Sequence, residues 1–283
     1  MKYVLDQKNF DRFGERKYEK AREFGLDGVA FAMCYTKQFI YTGPVDDSDE
    51  ILYKERRRAE KDGFKFLNCH GPWGNPWPDI TPEGLREKVE FTKRAIHNTR
   101  VLGAEYCVVH PFLPNDYDLD DPEKIEDTYK QNKAILKELL ETAHKEDVII
   151  CFENMPMHKF SLAKPQDIMR ICDDINDDHL MVTFDSGHAN IYPDIKMDEC
   201  LKTLASRVRV LHVHDNFYNV DMHLLPFCGN TDWKAFSKGL KEIDYQHIFE
   251  MEFSVSNNLN NELAEDVLRI LKKTYDHIRS LAD

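Results

Sequence analysis

Short apolar runs alternate with longer amphipathic stretches along the whole chain, and this alternation restricts the fold more than any other feature. The runs lie at 27–31, 64–70, 104–110, 147–153, 179–185, 207–215 and 247–253, and a weaker one at 2–5 makes eight. Helical periodicity with start signals spans 81–103, with Pro82 in the first turn, and 121–146. Further helices are expected at about 165–175, 197–206, 232–242 and 260–280. Strands alternating with helices imply a parallel sheet covered on both faces. Eight such units in 283 residues predict an α/β fold, a closed (β/α)8 TIM barrel forming a single domain over 1–283. The doubly wound alternative wants a Gly-rich phosphate turn after an early strand, and none is present.

The net charge of -13 disfavours a nucleic-acid partner, which needs a concentrated basic surface, and suits a site that gathers cations. No stretch is apolar enough for a membrane span, and the first residues lack the apolar core of a secretory signal. Seven cysteines, an odd number without a C-x-x-C pair, are expected to be reduced, buried thiols of a cytoplasmic protein.

Strand after strand ends in a group that can ligate metal: His70, His110, Glu153, Asp185 with His188, His212 and His214, then Glu250 and Glu252. In a barrel these ends share one mouth, where active sites are built. Alternation puts both members of each of the last two pairs on one face, and proximity to the mouth favours Glu252 over Glu250. His212 and His214 are not separated by this reasoning. Three carboxylates side by side are costly without a cation. Three carboxylates and one imidazole suit a single divalent ion, Mn²⁺ first, with Mg²⁺, Co²⁺ or Zn²⁺ as alternatives.

The stretches CFENMP (151–156), TFDSGHANI (183–191), VLHVHDN (210–216), DMHLLPFCGNTDW (221–233) and FEMEF (249–253), in this order, resemble the xylose isomerase-like barrels. These include sugar phosphate isomerases and epimerases, the ketose 3-epimerases, and endonuclease IV as a relative. The resemblance implies a metal held by Glu153, Asp185, His212 and Glu252, with His212 chosen through the H-x-x-D/E pattern at 212–215. It implies that Glu153 and Glu252 are the catalytic acid and base, working by proton transfer through an enediolate that the metal stabilises. It also implies that His188 contacts substrate oxygen. The expected partner is a small carbohydrate, a sugar or sugar phosphate.

Two positions depart from the ketose 3-epimerases, which carry an Arg six residues after the metal His and a Glu six residues after the strand-five Glu. Here they are Tyr218 and Lys159, and Lys159 is expected to contact a substrate carboxylate or phosphate. His70, His110, His188, Asp221 and His223 also match, in order, the extra ligands of the three-zinc endonuclease IV site. A zinc phosphodiesterase is therefore the rival reading, in which those residues hold ions rather than line a sugar pocket. Dehydratase or lyase chemistry and a non-catalytic metal-binding subunit are further alternatives. Trp73, Trp77 and Phe112 fall near the predicted mouth, either as an aromatic wall for a sugar or as loop packing. Residues 74–79 are rich in turn formers and could form a lid. The last helix covers the barrel, or serves a homo-oligomer.

Overall fold

A computed structural model describes residues 1–73, 81–114, 120–158, 160–218 and 220–282. Its strands are β1 (Lys2–Asp6), β2 (Gly28–Ala32), β3 (Phe66–His70), β4 (Tyr106–Val109), β5 (Ile149–Glu153), β6 (Leu180–Asp185), β7 (Val208–Val213) and β8 (Ile248–Met251). All pair in parallel and in order, and β8 closes onto β1. The expected closed barrel is therefore present.

A 3₁₀ segment (Gln7–Arg16) and α1 (Lys17–Glu23) follow β1, and α2 (Phe39–Thr42) and α3 (Val45–Lys61) follow β2. Next come α4 (Pro82–Leu102), α5 (Pro122–Glu146), α6 (Pro165–Ile175), α7 (Ser186–Asn190), α8 (Met197–Leu204), α9 (Trp233–Glu242) and α10 (Asn261–Ser280). Thr81 and Asp121 cap α4 and α5, each just ahead of a proline, and Gly103 ends α4 in the left-handed conformation. The helix expected at 197–206 stops at Leu204. α3 has little apolar periodicity in the sequence, because it is mostly charged and buries only Ser48, Leu52 and Ala59. α10 covers the barrel through Ala264, Leu268, Leu271, Tyr275 and Ile278.

Outward strand residues such as Leu5, Phe152, Phe184 and Phe249 pack under the helices, while Val4, Val108, Cys151, Val210 and Ile248 fill the lower lumen. The upper lumen is polar, and there the site lies. Among the described residues no helix is long and apolar enough to cross a membrane. The cysteine expectation needs one correction: all seven are free, but Cys228 is exposed and Cys34 half-buried, because both sit in loops rather than strands.

Candidate metal centre

Alternation along β5, β6 and β7 turns Glu153, Asp185 and His212 into the lumen at the C-terminal rim, and all three are buried. His110, His214 and Glu252 are placed one residue beyond their strands. Ligand atoms of Glu153, Asp185, His212 and Glu252 all lie within 4.8 Å of one another. His212 presents Nδ1 to this group, 2.8 Å from Glu153 Oε1, 3.6 Å from Glu252 Oε2 and 3.9 Å from Asp185 Oδ2.

The sequence D-S-G-H explains how Asp185 and His188 are held. Asp185 is the N-cap of α7, so its Oδ1 accepts the His188 backbone N–H at 2.6 Å and Oδ2 is left for the centre. Asn154 ties β5 to β6 by accepting the Asp185 N–H and donating to the Asp185 carbonyl. Its own carbonyl lies 2.8 Å from His188 Nδ1. Since a carbonyl only accepts, Nδ1 carries the proton and Nε2 faces the mouth. Gly187 is demanded by packing, because a Cβ there would lie 2.0 Å from Cε1 of His214.

A second group, His188, His214, Asp221 and His223, adjoins the first. His214 Nε2 is 3.1 Å from Asp185 Oδ2, and Asp221 Oδ2 is 3.4 Å from His188 and 3.3 Å from His223. On the other side His110 and His70 reach Glu153 Oε2 at 3.0 and 3.5 Å. All the histidines the sequence singled out thus converge on one mouth. Trp73 is also there, edge-on to Tyr35, whereas Phe112 is buried beneath the Lys88 ammonium and belongs to the packing core. Lys159, Trp77 and the 74–79 stretch lie outside the described residues.

Two groups escaped the sequence reading. Asp6, at the end of β1, lines the same cavity of about 880 Å³, and Asp215 organises the loop that carries Asp221 and His223. The acid at the end of β1 was the available signal for Asp6; Asp215 stood in the motif without a role.

The electrostatics follow from crowding carboxylates and imidazoles in one buried space. Burial disfavours the Glu153 carboxylate, but His212 and then His110 outweigh it and hold its pKa well below the usual range. Burial likewise opposes charge on His188, yet Asp185, Asp221 and Glu153 raise its pKa to about 10. His223 rises to about 9, against burial, through Asp221 and Glu252. His110 goes the other way, to about 4, because burial dominates. Protons are thus recruited by a field that a divalent ion would neutralise. Glu252 Oε2 is buried without a hydrogen-bond donor among the described residues, and Glu153 Oε2 meets the ring nitrogens of His110 and His70, so both oxygens are placed as ligand atoms would be. The residues fit a metal ion.

Comparison with known proteins agrees with this architecture. A sequence model described as xylose isomerase-like TIM barrel matches residues 18–274. The Uncharacterized protein MJ1311 of Methanocaldococcus jannaschii is 30% identical over 185 residues, which is 62% of this chain and 62% of that protein. The match therefore spans under two thirds of the length of that relative. A D-tagatose 3-epimerase-like protein is 25% identical, with a TM-score of 0.75 and full coverage of both chains, 100% each. The IolI protein, solved with a zinc atom, shares the fold at 17% identity, with a TM-score of 0.76 and coverage of 100% of this chain and 99% of that one.

Proposed function

Because this chain belongs to the xylose isomerase-like TIM barrel family, we propose that it is a metal-dependent isomerase or epimerase of a neutral sugar. Glu153, Asp185, His212 and Glu252 are the metal ligands in this reading, and their convergence within 4.8 Å is the observation that carries it. When bound, the ion supplies Lewis acidity to a substrate carbonyl and makes the neighbouring C–H easier to ionise. Mn²⁺ is the first choice for three carboxylates and an imidazole, with Mg²⁺, Co²⁺ or Zn²⁺ as alternatives. A cytoplasmic location belongs to the same proposal.

Glu153 and Glu252 come from β5 and from the end of β8, so they reach a bound carbon from different directions. One takes the carbon-bound proton and the other returns one: opposite faces give an epimer, and a single-face shuttle gives an aldose–ketose isomer. His188, fixed through Nδ1, offers Nε2 to a substrate oxygen. Phe31, Trp73, Met155 and Phe253 supply apolar walls to the cavity. Asp6, Asp11, Asp221 and Glu250 line it as well, and Lys8 is the one lysine or arginine among its described lining residues. Apart from the ion and the histidines, the described lining thus offers a phosphate one fixed cation, which favours an uncharged substrate. The likeness to a D-tagatose 3-epimerase-like protein supports the reaction class.

The test is to incubate metal-loaded protein with neutral aldoses and ketoses in D2O and follow deuterium at the carbon beside the carbonyl by NMR. Metal-dependent exchange is expected. No exchange with any of the four ions, across the panel, would count against the proposal.

The second cluster of His188, His214, Asp221 and His223, with His70 and His110 beside Glu153, favours one other reading. It is a three-zinc phosphodiesterase. Three zinc ions per chain together with cleavage of abasic DNA would establish it in place of the sugar reaction.

A further inference from the structure

We propose that Glu250 is a positioning residue, a buried carboxylate that holds the His212 ring with Nδ1 toward the four-residue centre. The inference rests on the metal reading of that centre.

Glu250 and Glu252 share the inner face of β8 but lie at opposite edges of the same imidazole. Glu252 Oε2 is 3.6 Å from His212 Nδ1, and Glu250 Oε2 is 3.6 Å from His212 Nε2. The strand register places His212 directly beside Glu250. Across the lumen, Asn68 on β3 donates its Nδ2 hydrogen to Glu250 Oε2 at 2.7 Å, and both side chains are buried. Below them the lumen is apolar, with Val4, Val210 and Ile248. A leucine would close that floor without the desolvation that a carboxylate suffers. What a carboxylate adds is an acceptor for an imidazole N–H. A ligating histidine commonly gives its second N–H to such a group, which fixes both tautomer and ring orientation.

The 3.6 Å separation is longer than a hydrogen bond. His212 is drawn at its other edge to Glu153, 2.8 Å away. The proposal requires that the ring settle onto Glu250, a shift of under about 1 Å, once Nδ1 serves as a ligand. Glu250 then touches neither metal nor reacting atoms.

The experiment measures Zn²⁺ and Co²⁺ affinity by competition with a chromophoric chelator, and the Co²⁺ absorption spectrum, for wild type, Glu250→Gln, Glu250→Leu and Glu250→Asp. Thermal unfolding without metal checks each fold. Glu250→Gln, which keeps the shape, is expected to bind about 10- to 100-fold more weakly with an altered Co²⁺ spectrum, and Glu250→Asp to recover part of the loss. Unchanged affinity and spectrum in Glu250→Gln would overturn the inference, and Glu250→Leu, if folded, must agree. A raised KM for sugar at unchanged metal affinity would also overturn it, by making Glu250 a substrate contact. Wild-type protein that binds neither ion would overturn the metal reading itself, a different and recognisable failure.

Discussion

The indole N–H of Trp233 donates to Asp215 Oδ2 at 3.0 Å. The same buried carboxylate accepts the backbone N–H groups of Asn216, Phe227, Gly229 and Thr231 and the Thr231 hydroxyl. Asp215 and Leu224 also exchange both backbone hydrogen bonds. One side chain thus folds the loop that presents Asp221 and His223. Asp215→Ala is expected to cost about 3 kcal/mol or more, because several buried donors lose their acceptor. Urea denaturation reads this directly, and a cost below about 0.5 kcal/mol would show that the knot is dispensable.

Gly187 answers to His214. The alanine methyl in Gly187→Ala would sit inside the imidazole, 2.0 Å from Cε1, so the ring or the α7 turn must move. The expected cost is about 1–3 kcal/mol, with a displaced His214 resonance in the imidazole region of the NMR spectrum. An unshifted resonance would mean that the turn yields instead.

Glu252 is the most exposed of the four proposed ligands, and its role is separable from folding. Glu252→Gln is expected to reduce solvent-proton exchange by about 10²- to 10⁴-fold while the melting temperature of the metal-free protein changes little. Activity within a few-fold of wild type would remove Glu252 from the proton-transfer pair.

Asp6 gives a pH dependence away from the ligands. Burial raises its pKa to about 6, although Lys8 opposes the rise; Glu250 adds to it. The folded protein therefore keeps this proton to about pH 6, whereas the unfolded chain loses it near 3.8. Its contribution to stability falls as pH rises through that window, and the full penalty, about 2–3 kcal/mol, is present above it. Asp6→Asn keeps the cap on Lys8 and removes the charge. Thermal unfolding is expected to show stabilisation at pH 8 and almost none at pH 4; equal effects at the two values would contradict the assignment.

Periodicity alone made the barrel legible. An apolar run whose alternate residues face lumen and helices can be satisfied only in a covered sheet, and eight of them close it. The amphipathic helices at 82–102 and 122–146 were equally plain, since caps and apolar stripes are local properties. The short or charged elements, such as α3 and the 3₁₀ segment, were not, because their conformation depends on what they lie against.

The same division holds for the site. The sequence by itself determined that histidines and acids would gather at one rim, because strand direction fixes where each strand ends. Strand alternation left His212 and His214 equivalent, both inward-facing and two residues apart, and only the family resemblance preferred His212. The tertiary structure gives the two rings different surroundings: His212 turns Nδ1 toward Glu153, while His214 lies over Gly187 against Asp185. It likewise put Glu252 and Glu250 at opposite edges of one ring, and drew six hydrogen bonds onto Asp215 from a loop spread over 18 residues. Strand order is written in local pattern, but which atom of an imidazole meets which carboxylate depends on distances between β3, β5, β7 and β8. Those distances exist only once the barrel has closed.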